Sequence, residues 1–360
     1  MQTKILPAND PTAITEAARI LREGGVVAFP TETVYGLGAN GLSADSCRKI
    51  YKAKGRPSDN PLILHLSNLS MIGRVVREVP LKAQDLLRKF TPGPLTVILP
   101  RNKDVPDAVT GGLSTVGIRI PSHEVARAMI AAANVPIAAP SANIAGRPSP
   151  TTAEAVKRDL DGRIPLILDA GPCQWGVEST IVDATGEIPV ILRPGAITRE
   201  EIEALIGPVQ VSPTFPRDAA AKAVPRAPGM KYRHYAPKAP LTVLEAPADV
   251  WHDVVPRLLH ETRSQGKDVA LIASEETLHN LADTLPANRV YSLGSRENRE
   301  AVAAELYRAL RFFDDDIPEE IFIESFPEDG IGLALMNRIR KASGGRSLQF
   351  NDGIWEEVVL

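Results

Sequence analysis

The 360-residue chain has only two cysteines, Cys47 and Cys173, and they form no Cys-x-x-Cys pair. This leaves no cysteine-based zinc site or dithiol redox motif. One disulfide at most could form, and two reduced thiols are the simpler reading. Aromatic residues make up 5% of the chain, which gives no stacking platform for single-stranded nucleic acid. The net charge of −3 offers no global basic surface, so any RNA contact would need a local patch. No apolar run reaches the ~20 residues of a membrane-spanning helix, and Met1-Gln-Thr-Lys-Ile-Leu-Pro lacks the apolar stretch of a secretory signal. A cytoplasmic protein without membrane contact is expected. No carboxylate motif marks a dedicated metal site. What remains is 44% hydrophobic and 24% charged, an ordinary globular composition, at a length that suggests about two domains.

Hydrophobic periodicity divides the chain. Over residues 1–207 short apolar strands (Val26–Phe29, Leu62–Leu66, Leu95–Leu99, Val116–Ile120, Ile137–Ala139, Leu166–Leu168, Thr180–Val182, Val190–Leu192) mix irregularly with helices at about 11–23, 43–53, 81–90, 124–133 and 199–205. That mixture predicts an α/β domain around a large twisted mixed sheet. Residues 208–240 break the pattern with Pro208, Pro213, Pro216, Pro225, Pro228, Pro237 and Pro240. A plain tether has little use for Lys231, Tyr232, His234 and Tyr235 packed together. The segment is read as an ordered linker that covers the active site as a lid. Residues 241–360 alternate strands and helices, which predicts a smaller parallel sheet with Rossmann-like winding. No G-x-G-x-x-G follows its first strand, so no dinucleotide site is expected there.

Two segments carry the chemistry. Tyr51-Lys-Ala-Lys-Gly-Arg-Pro-Ser-Asp-Asn60-Pro places Lys52, Lys54 and Arg56 where a helix gives way to a loop. Ala139-Pro-Ser-Ala-Asn143 sets Ser141 and Asn143 where a strand opens. Cations with short hydroxyl and amide side chains at strand ends suit a polyphosphate site, although a basic run alone is more often a solvated helix face. Arg119 interrupts the apolar strand Val116–Ile120. A charge there is costly to bury unless paired, so it either faces solvent or grips an anion.

Lys54-Gly-Arg56 and Ser141-Ala-Asn143 resemble the K-x-R…S-x-N signature of the YrdC/Sua5 family. Around them Pro30-Thr-Glu-Thr-Val-Tyr-Gly-Leu-Gly38, Pro92-Gly-Pro-Leu-Thr-Val97, Gly117-Ile-Arg-Ile-Pro121, Glu178-Ser-Thr-Ile-Val-Asp183 and Leu192-Arg-Pro-Gly195 are similar to the same family in the same order. Pro228-Gly-Met-Lys-Tyr-Arg-His-Tyr-Ala-Pro237 resembles the long two-domain Sua5 form. The resemblance implies a YrdC-like catalytic domain (1–207), the linker (208–240) and a Sua5 C-terminal domain (241–360). It further implies a nucleotidyltransferase that makes threonylcarbamoyl-AMP and pyrophosphate from L-threonine, bicarbonate and ATP, the first step of tRNA t6A37 modification. The product would pass to the tRNA threonylcarbamoyl-transferase complex, with tRNA contact in prospect.

The resemblance assigns Lys54, Arg56, Ser141 and Asn143 to catalysis and ATP binding, with Asn60, Thr115, Ser149, Arg193 and Tyr235 as further ATP contacts. It assigns Thr33, His65, Arg119, Ala139 and Ser179 to L-threonine, and Lys231, Tyr232, His234 and Tyr235 to the lid. Mg²⁺ is expected to arrive with ATP, because the phosphates carry more charge than a few cations balance. A serine hydrolase is disfavoured, since no G-x-S-x-G elbow surrounds Ser179. A P-loop is disfavoured because Gly111-Gly-Leu-Ser-Thr115 lacks the lysine. A non-catalytic binder of double-stranded RNA or tRNA is the rival reading, and steep salt dependence would mark it.

Overall fold

The computed structural model describes residues 2–215, 225–231, 234–247, 250–279, 281 and 284–359. The chain forms two compact units: Met1–Ala145 with Ser149–Tyr232, and Gly146–Pro148 with Arg233–Leu360.

Unit 1 is built on eleven strands, β1 (Lys4–Pro7), β2 (Val27–Phe29), β3 (Gly36–Asn40), β4 (Ile63–His65), β5 (Leu95–Pro100), β6 (Thr115–Arg119), β7 (Ile137–Ala139), β8 (Leu166–Asp169), β9 (Thr180–Asp183), β10 (Val190–Arg193) and β11 (Gln210–Val211). They pair in the order β1-β8-β2-β3-β7-β4-β6-β5-β9-β10-β11. Parallel and antiparallel ladders mix, as in β4–β6 and β5–β6 respectively. Its helices are α1 (Ala13–Arg22), α2 (Ala44–Lys54), α3 (Leu81–Phe90), α4 (Asp107–Thr110), α5 (Glu124–Ala133), α6 (Ala153–Leu160) and α7 (Arg199–Ile206). α1 buries Ala13, Ala17, Ala18 and Leu21, a helical stripe facing the core. α2 starts at Ser43, whose hydroxyl accepts from Ser46 N, and stops at Gly55, whose φ of 63° is left-handed. That glycine turns the chain sharply after Lys54 and starts the Arg56–Pro61 loop. A main core takes in Leu62, Leu64, Leu66, Val97, Leu99 and Ile118. The alternating partners Ile63, Ile98 and Ile181 form a separate cluster with Leu192 and Ala227, as a period-two pleat requires.

Unit 2 contains β12 (Leu241–Glu245), β13 (Val269–Ala273), β14 (Val290–Ser292), β15 (Glu320–Glu324), β16 (Arg346–Asn351) and β17 (Ile354–Val359). It also contains α8 (Trp251–Ser264), α9 (Glu275–His279), α10 (Arg299–Phe312) and α11 (Gly332–Ser343). The sheet order is β14-β13-β15-β12-β16-β17, parallel except for the β16–β17 hairpin.

Three differences separate the structure from the sequence reading. The Gly36–Asn40 strand has weak intrinsic β-propensity, but β2 and β7 pair with it on its two sides. The first sheet runs past Gly207, because Gln210–Val211 pairs in parallel with β10. The terminal hairpin went unread despite its Asp352-Gly353 turn, with φ of 47° and 87°, which is a strong hairpin signal.

Candidate active site

The two signature segments meet. Lys54 is 1% exposed, and its ammonium donates to the carbonyls of Ser141 and Asn143. The Ser141 hydroxyl donates to Asn143 Oδ1, and Asn143 Nδ2 donates to Ile144 O at 2.8 Å. Ala145 N bonds Lys54 O at 3.0 Å, so main chain and side chain tie the end of α2 to the loop after β7. Arg56 lies in the following loop and donates to the carbonyls of Asn60 (3.4 Å) and Pro61 (3.1 Å). Asn60 is buried, and its Oδ1 has no hydrogen-bond partner. Lys52 is exposed, as a solvated helix face predicts.

Strand register sets the second group. His65 pairs with Arg119, and Arg119 with Thr96, so the three side chains form one row on one face of the sheet. Thr96 Oγ1 lies 2.8 Å from Ser179 Oγ. Arg193 reaches Ser179 through Nε to its carbonyl (3.1 Å) and Nη2 to its hydroxyl (3.2 Å). Gly195 permits this approach, since a Cβ there would sit 2.3 Å from Thr180 N. Arg119 does not face solvent. It is 4% exposed and contacts the equally buried Glu32 at 2.8 Å. Thr33 is fully buried and hydroxyl-paired with Thr31 at 2.9 Å, and Ala139 is buried opposite Ile63. Ser149 donates to Glu178 Oε1 at 2.6 Å. Thr115 lines a small pocket together with Ile63, Ile98, Gly117, Arg226 and Pro228.

The electrostatics keep these groups in fixed states. Burial, then the Arg119 charge, drives the His65 pKa down to about 3, so the imidazole is neutral with Nδ1 on Ile63 O at 3.2 Å. Burial favours the neutral acid at Glu32, but Arg119 and the amides of Glu32 and Ser122 together outweigh it and hold the carboxyl below its usual range. Burial pushes the Cys173 thiol up to about 12.

The described parts of the linker divide between the units. In unit 1, Ala227 joins the Ile63–Ile98 cluster, Arg226 pairs with Asp183, and Lys231 reaches Asp59 at 3.1 Å, next to Asn60. In unit 2, Tyr235 is buried at a left-handed φ of 64°. Its ring stacks on Tyr307 at 5.3 Å and lies under Arg338 at 5.7 Å, with the His234 ring 5.5 Å away. Tyr232 lies outside the described residues.

The sequence reading missed Glu32, Thr31, Thr96, Glu178 and Asp183. All five are polar residues inside quoted motifs that the fold buries, and their company of hydroxyls and arginines was the available signal.

Cations and hydroxyls anchored at strand ends and a buried row that includes a guanidinium share one α/β unit, an arrangement suited to a nucleotidyltransferase. Residues 19–195 match the Sua5/YciO/YrdC family model, described as telomere recombination, and residues 197–344 match the threonylcarbamoyl-AMP synthase C-terminal domain. The chain is 50% identical to a threonylcarbamoyl-AMP synthase of Bacillus subtilis over 96% of this chain and 97% of that one. It is 45% identical to one of Pyrococcus abyssi, over 92% and 94%. The crystal structure of the Pyrococcus abyssi Sua5 complexed with L-threonine superposes with a TM-score of 0.90 at 43% identity, covering 97% of this chain and 100% of that one. This chain belongs to the Sua5/YrdC family of threonylcarbamoyl-AMP synthases, in the two-domain form.

Proposed function

We propose that unit 1 makes threonylcarbamoyl-AMP and pyrophosphate from L-threonine, bicarbonate and ATP. The observation that carries this reading is the buried His65–Arg119–Thr96 row, with Ser179 and Arg193, in the same unit as the Lys54–Ser141–Asn143 knot. The first group suits a small amino acid, and the second a polyphosphate. The threonine-bound Pyrococcus abyssi relative supports it.

In this reading Arg119 holds the threonine carboxylate through paired N–H groups. Thr33, His65, Ser179 and the Ala139 main chain shape the rest of that pocket. Lys54, Arg56, Asn60, Thr115, Ser141, Asn143, Ser149, Arg193 and Tyr235 serve ATP. The carboxylate of N-carboxythreonine attacks the α-phosphorus: one O–P bond forms, the bond to the β-phosphate oxygen breaks, and pyrophosphate leaves. Positioning and charge stabilisation suffice for this transfer, and no protein nucleophile is used. Among the described residues no group of three or more His, Cys, Asp or Glu gathers. In this reading Mg²⁺ would come with the ATP phosphates. Residues 1–207 form the catalytic domain in this reading, 208–240 the linker with Lys231, Tyr232, His234 and Tyr235 as lid, and 241–360 the second domain. Two unpaired thiols suit a cytoplasmic enzyme. No helix among the described residues is long and apolar enough to cross a membrane. The product would be handed to the tRNA-modifying transferase complex.

The test is incubation with ATP, Mg²⁺, bicarbonate and L-threonine, followed by mass spectrometry. Pyrophosphate and the adenylate should form only when both threonine and bicarbonate are present. Folded protein with no turnover but salt-sensitive tRNA binding would favour the RNA-binding reading.

A further inference from the structure

Glu32 has no part in that scheme. It sits between Thr31 and Thr33 just after β2, 4% exposed, with its main-chain carbonyl fixed by Trp175 N at 2.9 Å. Its carboxylate touches Arg119 at 2.8 Å. The amides of Glu32 and Ser122 lie close enough to favour the anion. Even so, neither carboxylate oxygen, nor Arg119 Nε or Nη2, makes a hydrogen bond of good geometry. Burying two ions is expensive, and a pair kept for architecture normally has its remaining lone pairs and protons satisfied. This pair leaves both halves open. A zwitterion completes it, with carboxylate on the guanidinium and ammonium on the carboxylate.

We propose that Glu32 receives the ammonium group of the amino-acid substrate and takes one proton from it, freeing the amine to attack bicarbonate. The inference rests on the threonine reading above. In the step, the ammonium gives one proton to a Glu32 oxygen. The nitrogen lone pair forms the N–C bond to bicarbonate. Hydroxide leaves that carbon and departs as water with a second amine proton, giving the N-carboxylate. The proton on Glu32 returns to solvent. Substrate binding itself prepares the base, because a substrate carboxylate on Arg119 shares the charge that holds Glu32 ionised. The titratable and charged groups around Glu32 are Arg119, His65, His123 and Cys173. Both histidines are shifted down by burial, and the thiol is pushed up to about 12. Neither histidine nor the thiol should change charge between about pH 7 and about pH 9.

The experiment is steady-state kinetics of Glu32→Gln, which keeps size and an acceptor oxygen but not basicity. Loss of a general base predicts a fall of about a hundredfold or more in kcat/KM for threonine, with KM for ATP nearly unchanged. The diagnostic readout is pH. The variant must draw free amine from solution, so its log kcat/KM should climb about one unit per pH unit between about pH 7 and about pH 9, where the unsubstituted enzyme is flat. Normal kinetics, or a loss that is flat with pH and shared by ATP, would overturn the proposal. If Glu32→Gln does not fold, the unsubstituted enzyme decides through inhibition by 2,3-dihydroxybutanoate, threonine with hydroxyl in place of ammonium. This analogue should bind at least about tenfold more weakly than threonine, and equal affinity would overturn the ammonium role. Failure of the unsubstituted enzyme to require threonine would instead defeat the functional reading itself.

Discussion

Glu32 in unit 1 and Glu324 in unit 2 are both buried carboxylates paired with arginine, and they are finished differently. Glu324 is fully buried. It accepts from Ser274 N at 2.7 Å and Ser274 Oγ at 3.2 Å, and meets Arg296 at 2.9 Å. Glu32 meets Arg119 at a similar distance, but no hydrogen bond of good geometry completes it. In unit 2 the charge is closed into the architecture, pinning the ends of β13 and β15. In unit 1 it is left with unused capacity against Arg119, in the row of residues that would handle substrate. Completeness of hydrogen bonding, rather than burial or charge, separates a structural ion from one waiting for a ligand.

Removing the two arginines should break this comparison most sharply. Arg119→Ala and Arg296→Ala each strand a buried carboxylate, which typically costs about 3–5 kcal/mol of stability. Urea denaturation should show comparable losses. Kinetics should not: KM for threonine should rise steeply in Arg119→Ala and stay unchanged in Arg296→Ala. Equal kinetic effects would erase the distinction between the two carboxylates.

Next in size is Lys54→Ala. Losing a charge-assisted contact is worth about 1.5–3 kcal/mol, or roughly ten- to hundredfold in kcat/KM for ATP. The structure adds an expectation that the sequence did not. The carbonyls of Ser141 and Asn143 lose their donor, so thermal stability should fall along with activity. Unchanged kinetics in a folded variant would remove Lys54 from the phosphate cradle.

A smaller effect is expected from pH. His65 is neutral in the fold, with its pKa driven down to about 3 by burial and then by Arg119. The unfolded chain binds its proton at about pH 6.5. Below that pH the unfolded state holds more protons, so the stabilisation is complete above about pH 6.5 and drains away as pH falls toward 3. His65→Asn keeps a side-chain donor for Ile63 O and should flatten the dependence of urea midpoint on pH between about pH 6 and about pH 4. An unchanged slope would mean that His65 is not the buried neutral group described. Glu32 has a depressed folded pKa, so its own contribution is lost only at lower pH, as the solution falls below the usual glutamate range near 4.3.

What the sequence revealed follows from how locally each feature is encoded. The helix α5 over Glu124–Ala133 is written in adjacent residues and stands where periodicity places it. The α2–loop junction at Gly55 was readable for the same reason. The Lys54–Ser141–Asn143 knot joins residues far apart in the chain, and only the resemblance put them together. Glu32–Arg119 and Thr96–Ser179 depend on strand register and on which face of a mixed sheet each residue takes. A one-residue slip would reverse that face, and periodicity within a single strand does not determine it. The strand Gly36–Asn40 was hidden because its own residues do not favour it and its neighbours supply the pairing.

The smallest effect belongs to the strap. Lys231 and Asp59 are 27% and 37% exposed along their side chains, so water screens the pair and its loss should cost no more than ~1 kcal/mol. By stability alone Lys231→Ala is nearly silent. Its value lies in where the contact falls: Asp59 adjoins Asn60, whose buried amide oxygen lacks a partner. If the strap shields the mixed anhydride from water, Lys231→Ala should lower the yield of intact adenylate relative to pyrophosphate released, and removal of residues 228–237 should do so more strongly. Product and pyrophosphate falling in equal proportion would reduce the strap to packing over Ile63 and Ile98. The open valences of unit 1 would then be protected by something other than this segment.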